Sequence, residues 1–270
     1  MKKNLGFFAA LLCIFLLASC RTRVEAVFRE TATAPAPAPE TTAAQTLPPE
    51  TIPVEAPPVP TEPEHSPLYL PGVPVEDMIL WFNEICLDAE FTDSGNPSVL
   101  QKWQVPICYT VQGSWTEEDM AVLCSFCAWL NTIEGFPGIR EAGEGDTANL
   151  RIHFCGAPEL TTMMGEAFYG LDGAVRFWYD FDAIYDAVIC CRSDISQYTR
   201  NSVILEELYN GLGPIQDTDL RPDSICYSGF TEPQQLTQLD ERILQLLYHP
   251  DMHCGMDAEQ CAAVIRKLYH

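Results

Sequence analysis

The order of apolar patterns along residues 68–270 predicts an α+β domain with helices at both ends and strands clustered in the middle. Three observations carry this. Residues 149–155 alternate Leu150, Ile152 and Phe154 on one side, the period-2 signature of a strand. Residues 175–179 and 184–191 are two further apolar, β-branched runs joined by an acidic turn at Asp180 and Asp182. From residue 201 the period changes to that of helices and stays so to the end of the chain.

The elements follow in order. Pro74 opens a helix over residues 75–88, because a proline at the first helical position has no N–H to satisfy; Ile79, Phe82, Ile85 and Cys86 share one face. Residues 103–111 read as a strand. Ser114 and Thr116, ahead of Glu117, Glu118 and Asp119, cap a long helix to about residue 134, where Gly135, Pro137 and Gly138 stop it. Strands at 149–155, 175–179 and 184–191 come next. A helix from residue 201 ends at Gly211-Leu212-Gly213, and two more cover residues 236–247 and 257–269. There is no internal repeat.

The first 67 residues belong to a different regime. Lys2 and Lys3 precede an apolar run from Leu5 to Leu17, too short to span a bilayer well. The run ends in Leu17-Ala18-Ser19-Cys20, which resembles a bacterial lipobox. That resemblance implies cleavage before Cys20, acylation of its thiol, and anchoring outside the cytoplasm on the cell membrane. Several acyl chains, at about 0.8 kcal/mol per buried methylene, hold a protein firmly. Residues 21–67 form a Pro/Thr/Glu-rich tether. Of the chain's 21 prolines, 13 fall in residues 21–74, and so little apolar surface cannot fold. Residues 1–20 thus read as signal, 21–67 as disordered tether and 68–270 as the folded domain. In polyproline form, at roughly 3.1 Å per residue, the tether reaches on the order of 100 Å.

The formal net charge is −23. The two n-region lysines, and three arginines against seven glutamates in the tether, leave about −21 on residues 68–270. Such a surface repels phosphate backbones, so nucleic acid is excluded as a partner; basic peptides and other cationic polymers are favoured. Of 12 cysteines, Cys13 leaves with the signal and Cys20 carries lipid, so ten remain in the domain. An even count outside the cytoplasm permits disulfides, and Cys254 with Cys261 is the best-placed pair. Cys124-Ser125-Phe126-Cys127 has redox spacing but sits inside a predicted helix with no strand before it. Asp217, Asp219 and Asp223 put oxygens in one loop but lack the glycine turn of a calcium loop. Trp103, Trp115, Trp129 and Trp178 read as core.

The segment with chemical content is Ile204-Leu205-Glu206-Glu207-Leu208-Tyr209-Asn210-Gly211-Leu212-Gly213-Pro214-Ile215-Gln216-Asp217, followed by Ser224-Ile225-Cys226 and Leu236-Thr237-Gln238-Leu239-Asp240. Its spacing resembles the metzincin frame H-E-x-x-H-x-x-G-x-x-H, in which two histidines lie one helical turn apart and a glycine turns the chain to bring back a third ligand. Glu207 matches the catalytic glutamate, Gly213 the turn glycine, and Ser224, Ile225 and Cys226 the floor turn. Glu206, Asn210 and Gln216 stand where the three histidines would be. Zinc selects imidazole, thiolate and carboxylate, and neutral amides are weak donors. The five histidines, at 65, 153, 249, 253 and 270, do not replace the missing ones.

The same residues resemble more closely a family catalogued as domain of unknown function 2927, whose members are often described as bacterial lipoproteins. The resemblance covers most of residues 75–256, through Glu206-Glu207-Leu208, Leu212-Gly213, Asp217, Ser224-Ile225, Asp240 and Leu247-Tyr248-His249-Pro250. The family usually carries Gln at the place of Asn210, which implies that the metal ligands were lost family-wide. Together these resemblances imply a zincin-like, metzincin-type single domain with a mixed sheet and an active-site-type helix, without metal or cofactor. They imply a non-catalytic binding or structural module of the cell envelope, meeting the membrane through its lipid and an unidentified protein or cell-wall ligand. The alternative is a divergent hydrolase with Glu207 as general base. Glu207 and Asn210, at i and i+3, share a helix face and are expected to hydrogen-bond, either as a buried strut or, with Asp217, as the lining of a retained cleft.

Overall fold

The computed structural model describes residues 66–87 and 99–270. The expected signal segment, Cys20 and nearly all of the tether lie outside the described residues.

The described chain is α+β with a mostly parallel mixed sheet and six α-helices. Helix α1 (Val75–Leu87) leads into strands β1 (Lys102–Trp103) and β2 (Ile107–Gly113). Next come α2 (Glu117–Leu130), β3 (Ile139–Glu141), β4 (Leu150–Cys155) and α3 (Ala157–Met164). Strands β5 (Gly173–Asp180) and β6 (Ala183–Arg192) precede α4 (Gln197–Asn210), α5 (Gln238–Tyr248) and α6 (Ala258–Leu268). Strands β3, β2, β4 and β6 lie side by side in parallel, β1 adds a short parallel pairing to β6, and β5 runs antiparallel to β6.

Local chemistry accounts for the elements. Thr116 and Asp119 form the capping box that starts α2, as expected, and Thr237 with Asp240 and Asp257 with Gln260 do the same for α5 and α6. Asn131 closes α2, four residues before the expected stop. The expected strand over 103–111 is two strands, because Pro106 has no N–H for the ladder. The short β3 follows directly on the Gly135–Gly138 breaker segment and was not anticipated, nor was α3, whose first turn holds Pro158. Helix α4 begins earlier than residue 201, at an N-cap Ser196 whose hydroxyl accepts from the Thr199 amide. The β5–β6 turn carries positive φ at two consecutive non-glycine residues, Phe181 (47°) and Asp182 (63°), the twist of a two-residue hairpin.

Helices α2, α4 and α3 pack on one another or on β5 and β6, and α1 packs on α6. A buried ion pair, Arg200 Nε to Asp119 Oδ1 at 2.8 Å, locks α4 to α2. Lys102 is buried and donates to the Leu247 and Met252 carbonyls at 2.8 and 2.7 Å, capping the end of α5; burial pulls its pKa down to about 8.

Two cysteine and tryptophan expectations change. Cys254 and Cys261 are free thiols, and Cys254 Sγ donates to the Lys102 carbonyl instead. Trp103 is core and Trp129 and Trp178 are half-buried, but Trp115 is exposed, because it sits in the loop ahead of α2 rather than in an element.

Candidate functional site

The site is built around the C-terminal half of α4. Two hydrogen bonds and one glycine set the end of that helix. Trp103 Nε1 donates to the Gly211 carbonyl (2.8 Å) and Tyr248 Oη to the Leu212 carbonyl (2.7 Å), satisfying acceptors that a helix end leaves open. Gly213 then takes φ +125°, with the Gln101 carbonyl oxygen only 2.5 Å from where a Cβ would be. Only glycine fits there, for both backbone conformation and space. The chain returns along α1: the amides of Ile215 and Gln216 both donate to the Ile85 carbonyl, at 2.9 and 3.1 Å. Thr218 continues the anchoring, with its hydroxyl on Glu84 Oε2 and its amide on the Cys226 carbonyl, both 2.7 Å.

The segments matched to a floor turn and a Leu-Thr-x-x-Asp helix meet at Asp240. Its fully buried carboxylate accepts from Ser224 Oγ (2.7 Å), the Ile225 amide (3.2 Å), and the Thr237 amide (3.0 Å) and hydroxyl (2.8 Å). Arg221 stands 3.4 Å away as its cation, and the Asp240 carbonyl accepts from Tyr209 Oη (2.9 Å) on α4. The turn carries Cys226 beneath α4, where its thiol donates to Asn210 Oδ1 at 3.5 Å. Ser224, Ile225, Cys226, Asn210 and Asp240, expected to belong together from spacing alone, are thus joined.

Glu207 is 2 % exposed, Asn210 6 % and Gln216 9 %. Glu207 lies against β5, where a Cβ on Gly173 would come within 2.6 Å of its Oε1. Its Oε2 is buried with no hydrogen-bond partner. Asn210 Oδ1 accepts from the Cys226 thiol, and the expected bond from Asn210 does not reach Glu207 Oε2. Burial, together with the nearby carboxylates of Glu206 and Asp217, pushes the Glu207 pKa well above the usual carboxylate range. Glu206 is half-buried, and burial with Asp217 and Asp172 nearby raises it to about 8. These surroundings disfavour the ionised form of both glutamates. The Gln216 Nε2 is also buried without a partner.

Glu207 and Asn210 line a small cavity whose remaining walls are Phe168, Leu171, Ala174, Val175, Phe177 and Ile215. The cavity has about 10 Å³ of free space, room for one water-sized group. The loop carboxylates do not gather: Asp219 accepts from Ser228 Oγ and Asp223 from Arg221. Among the described residues, no group of three His, Cys, Asp or Glu side chains is arranged to hold a metal ion.

The contacts of Trp103, Tyr248, Gly173 and Arg221 were not read from the sequence. The first three act on α4 or its end from distant parts of the chain, so local spacing holds no signal for them, and nothing in the spacing marks Arg221, just ahead of Ser224, as a partner of Asp240. A family model described as "Protein of unknown function (DUF2927)" matches residues 76–267. No curated protein matches the chain.

Proposed function

The chain belongs to the family of proteins of unknown function DUF2927, and from that premise we propose that it is a lipid-anchored, extracytoplasmic module that binds or organises envelope components without catalysis. Its domain has a metallopeptidase-like, zincin-like frame without zinc ligands. The frame reading is supported by three features together: a mixed sheet with one antiparallel edge strand, a following helix bearing Glu207, and a Ser224-Ile225-Cys226 turn held beneath that helix. The anchor reading rests on Leu17-Ala18-Ser19-Cys20 and the proline-rich tether behind it.

The observation that carries the non-catalytic reading is the state of Glu207. A general base must be ionised and must reach a water or a substrate proton. Glu207 is buried in surroundings that disfavour its ionisation, and two amide side chains and a second carboxyl stand in place of imidazoles. Such a donor set neither retains zinc nor lowers the pKa of a bound water. The divergent-hydrolase alternative needs the same carboxyl to be charged.

Restoring the ligands tests the frame. Glu206→His, Asn210→His and Gln216→His combined should give a folded chain that binds zinc, while the natural chain does not. A folded triple variant that takes up no zinc would remove the zincin-like reading.

A further inference from the structure

Gly173 and Val175 of β5 meet α4, so by the period of a strand Ala174 lies on the opposite face of the sheet. There α3 covers a second apolar cluster, separate from the main core, of Cys155, Leu160, Met164, Phe168, Ala174 and Cys190. Two sulfurs of this cluster are neighbours. On the parallel strands β4 and β6, Cys155 pairs with Arg192 and Cys190 with His153, which makes the two cysteines diagonal on one face. The Cys190 thiol hydrogen-bonds to the Cys155 sulfur. Both are free thiols, 4 % and 0 % exposed. Diagonal neighbours in a sheet are about 7–8 Å apart, and a disulfide cannot bridge Cα atoms more than about 7 Å apart without moving the backbone. An ion between two thiolates, with metal–sulfur bonds of about 2.3 Å, holds the sulfurs roughly 4.5 Å apart and suits the diagonal. The available donors are soft: two thiols, with buried Met164 packed in the same cluster. Among the described residues no third His, Cys, Asp or Glu completes a metal site with them, so the four ligands of structural zinc or of an iron–sulfur cluster are not provided. Thiolate and thioether select copper(I), which is satisfied by two or three such ligands.

We infer that Cys155 and Cys190 form a binding site for a cuprous ion beneath α3, with the Met164 thioether as a third, weaker donor. The site lies on the other face of the sheet from α4 and does not depend on the reading of Glu207. On binding, each thiol gives its proton to solvent and two copper–sulfur bonds form, with no change of oxidation state. The centre then carries one negative charge. Arg176 supplies the balancing cation: Ala174 pairs with Cys190 and Arg176 with the nearby Val188, which puts Arg176 on the same face. Its Nη2 donates to the Met164 carbonyl, and its buried Nε has no hydrogen-bond partner. Glu159 and Asp194, both exposed, act on Cys155 and draw cations toward the site. Leu160 and Phe168 keep water from the bound ion.

The test adds copper(I) to the reduced full chain in detergent, without oxygen and in competition with a chromogenic copper(I) chelator. X-ray absorption of the loaded natural chain then identifies the ligands, independently of any variant. The expected result is one ion per chain held by sulfur alone. Cys155→Ala and Cys190→Ala should each lose that ion while circular dichroism shows the fold kept, and Cys124→Ser, which changes an exposed thiol on α2, should retain it. Four outcomes would overturn the proposal: no copper held against the chelator, nitrogen or oxygen ligands on the bound ion, an ion retained in a folded Cys155→Ala chain, or an ion lost in Cys124→Ser. A Cys155–Cys190 disulfide in the chain purified without reductant would overturn it as well. Zinc bound at residues 206–216 would defeat the non-catalytic reading and leave this one standing.

Discussion

Glu207→Gln separates a buried neutral acid from an ionised catalytic one through the pH dependence of folding. Glutamine is the neutral isostere of a protonated glutamate and does not titrate. In the natural chain the folded-state pKa of Glu207 is raised by burial and by Glu206 and Asp217, from an ordinary value of 4.5. A group raised in this way contributes its full stability below 4.5 and loses it as pH rises toward the folded value, because the unfolded chain releases the proton first. Each pH unit in that window is about 1.4 kcal/mol. As pH rises above 4.5 the natural chain should therefore lose stability relative to Glu207→Gln, by about 1.4 kcal/mol for each unit over which the folded group keeps its proton. Glu206, raised to about 8, titrates in both chains and cancels in the comparison. Urea denaturation followed by tryptophan fluorescence at several pH values reads the difference directly, as shifts in midpoint at constant slope. Parallel stability profiles for the two chains would refute the reasoning, since they mean that Glu207 is ionised in the folded protein as freely as in the unfolded one.

Other substitutions probe the remaining supports. Gly213→Val places a Cβ 2.5 Å from the Gln101 carbonyl oxygen at φ +125°, and should cost about 3 kcal/mol or more; an unchanged melting temperature would contradict the turn geometry. Asp240→Ala removes the acceptor of the Ser224, Ile225 and Thr237 donors and leaves the buried Arg221 with only the exposed Asp223 as a carboxylate partner, so a loss of about 3 kcal/mol is expected in the same denaturation assay. Cys20→Ala should move the protein from the membrane fraction to the soluble one, and continued membrane retention would count against the lipid anchor.

How far the sequence was legible depended on the range of the determining contacts. Helices α2, α5 and α6 were readable because their capping boxes lie within three residues of each start. Strands β4, β5 and β6 were readable from short apolar runs. Strand β3, only three residues long, has too few side chains to show a period and exists by pairing with β2. Helix α3 went unseen although Gly156-Ala157-Pro158 announces it, a proline-start signal that could have been read. In the site, spacing alone placed Glu207, Asn210, Gly213 and the Ser224-Ile225-Cys226 turn near one another. It could not show that Cys226, rather than Glu207, bonds Asn210 Oδ1, nor that Gly173 leaves room for the Glu207 side chain, because those contacts join residues 16 or more apart.

The absence of zinc chemistry is the claim on which the functional account turns, and elemental analysis of the purified full chain after exposure to zinc and removal of excess tests it most directly. The account predicts substoichiometric metal and no peptide cleavage sensitive to a chelator. Zinc bound one per chain, released by chelation together with a peptidase activity and lost in Glu206→Ala, would contradict it.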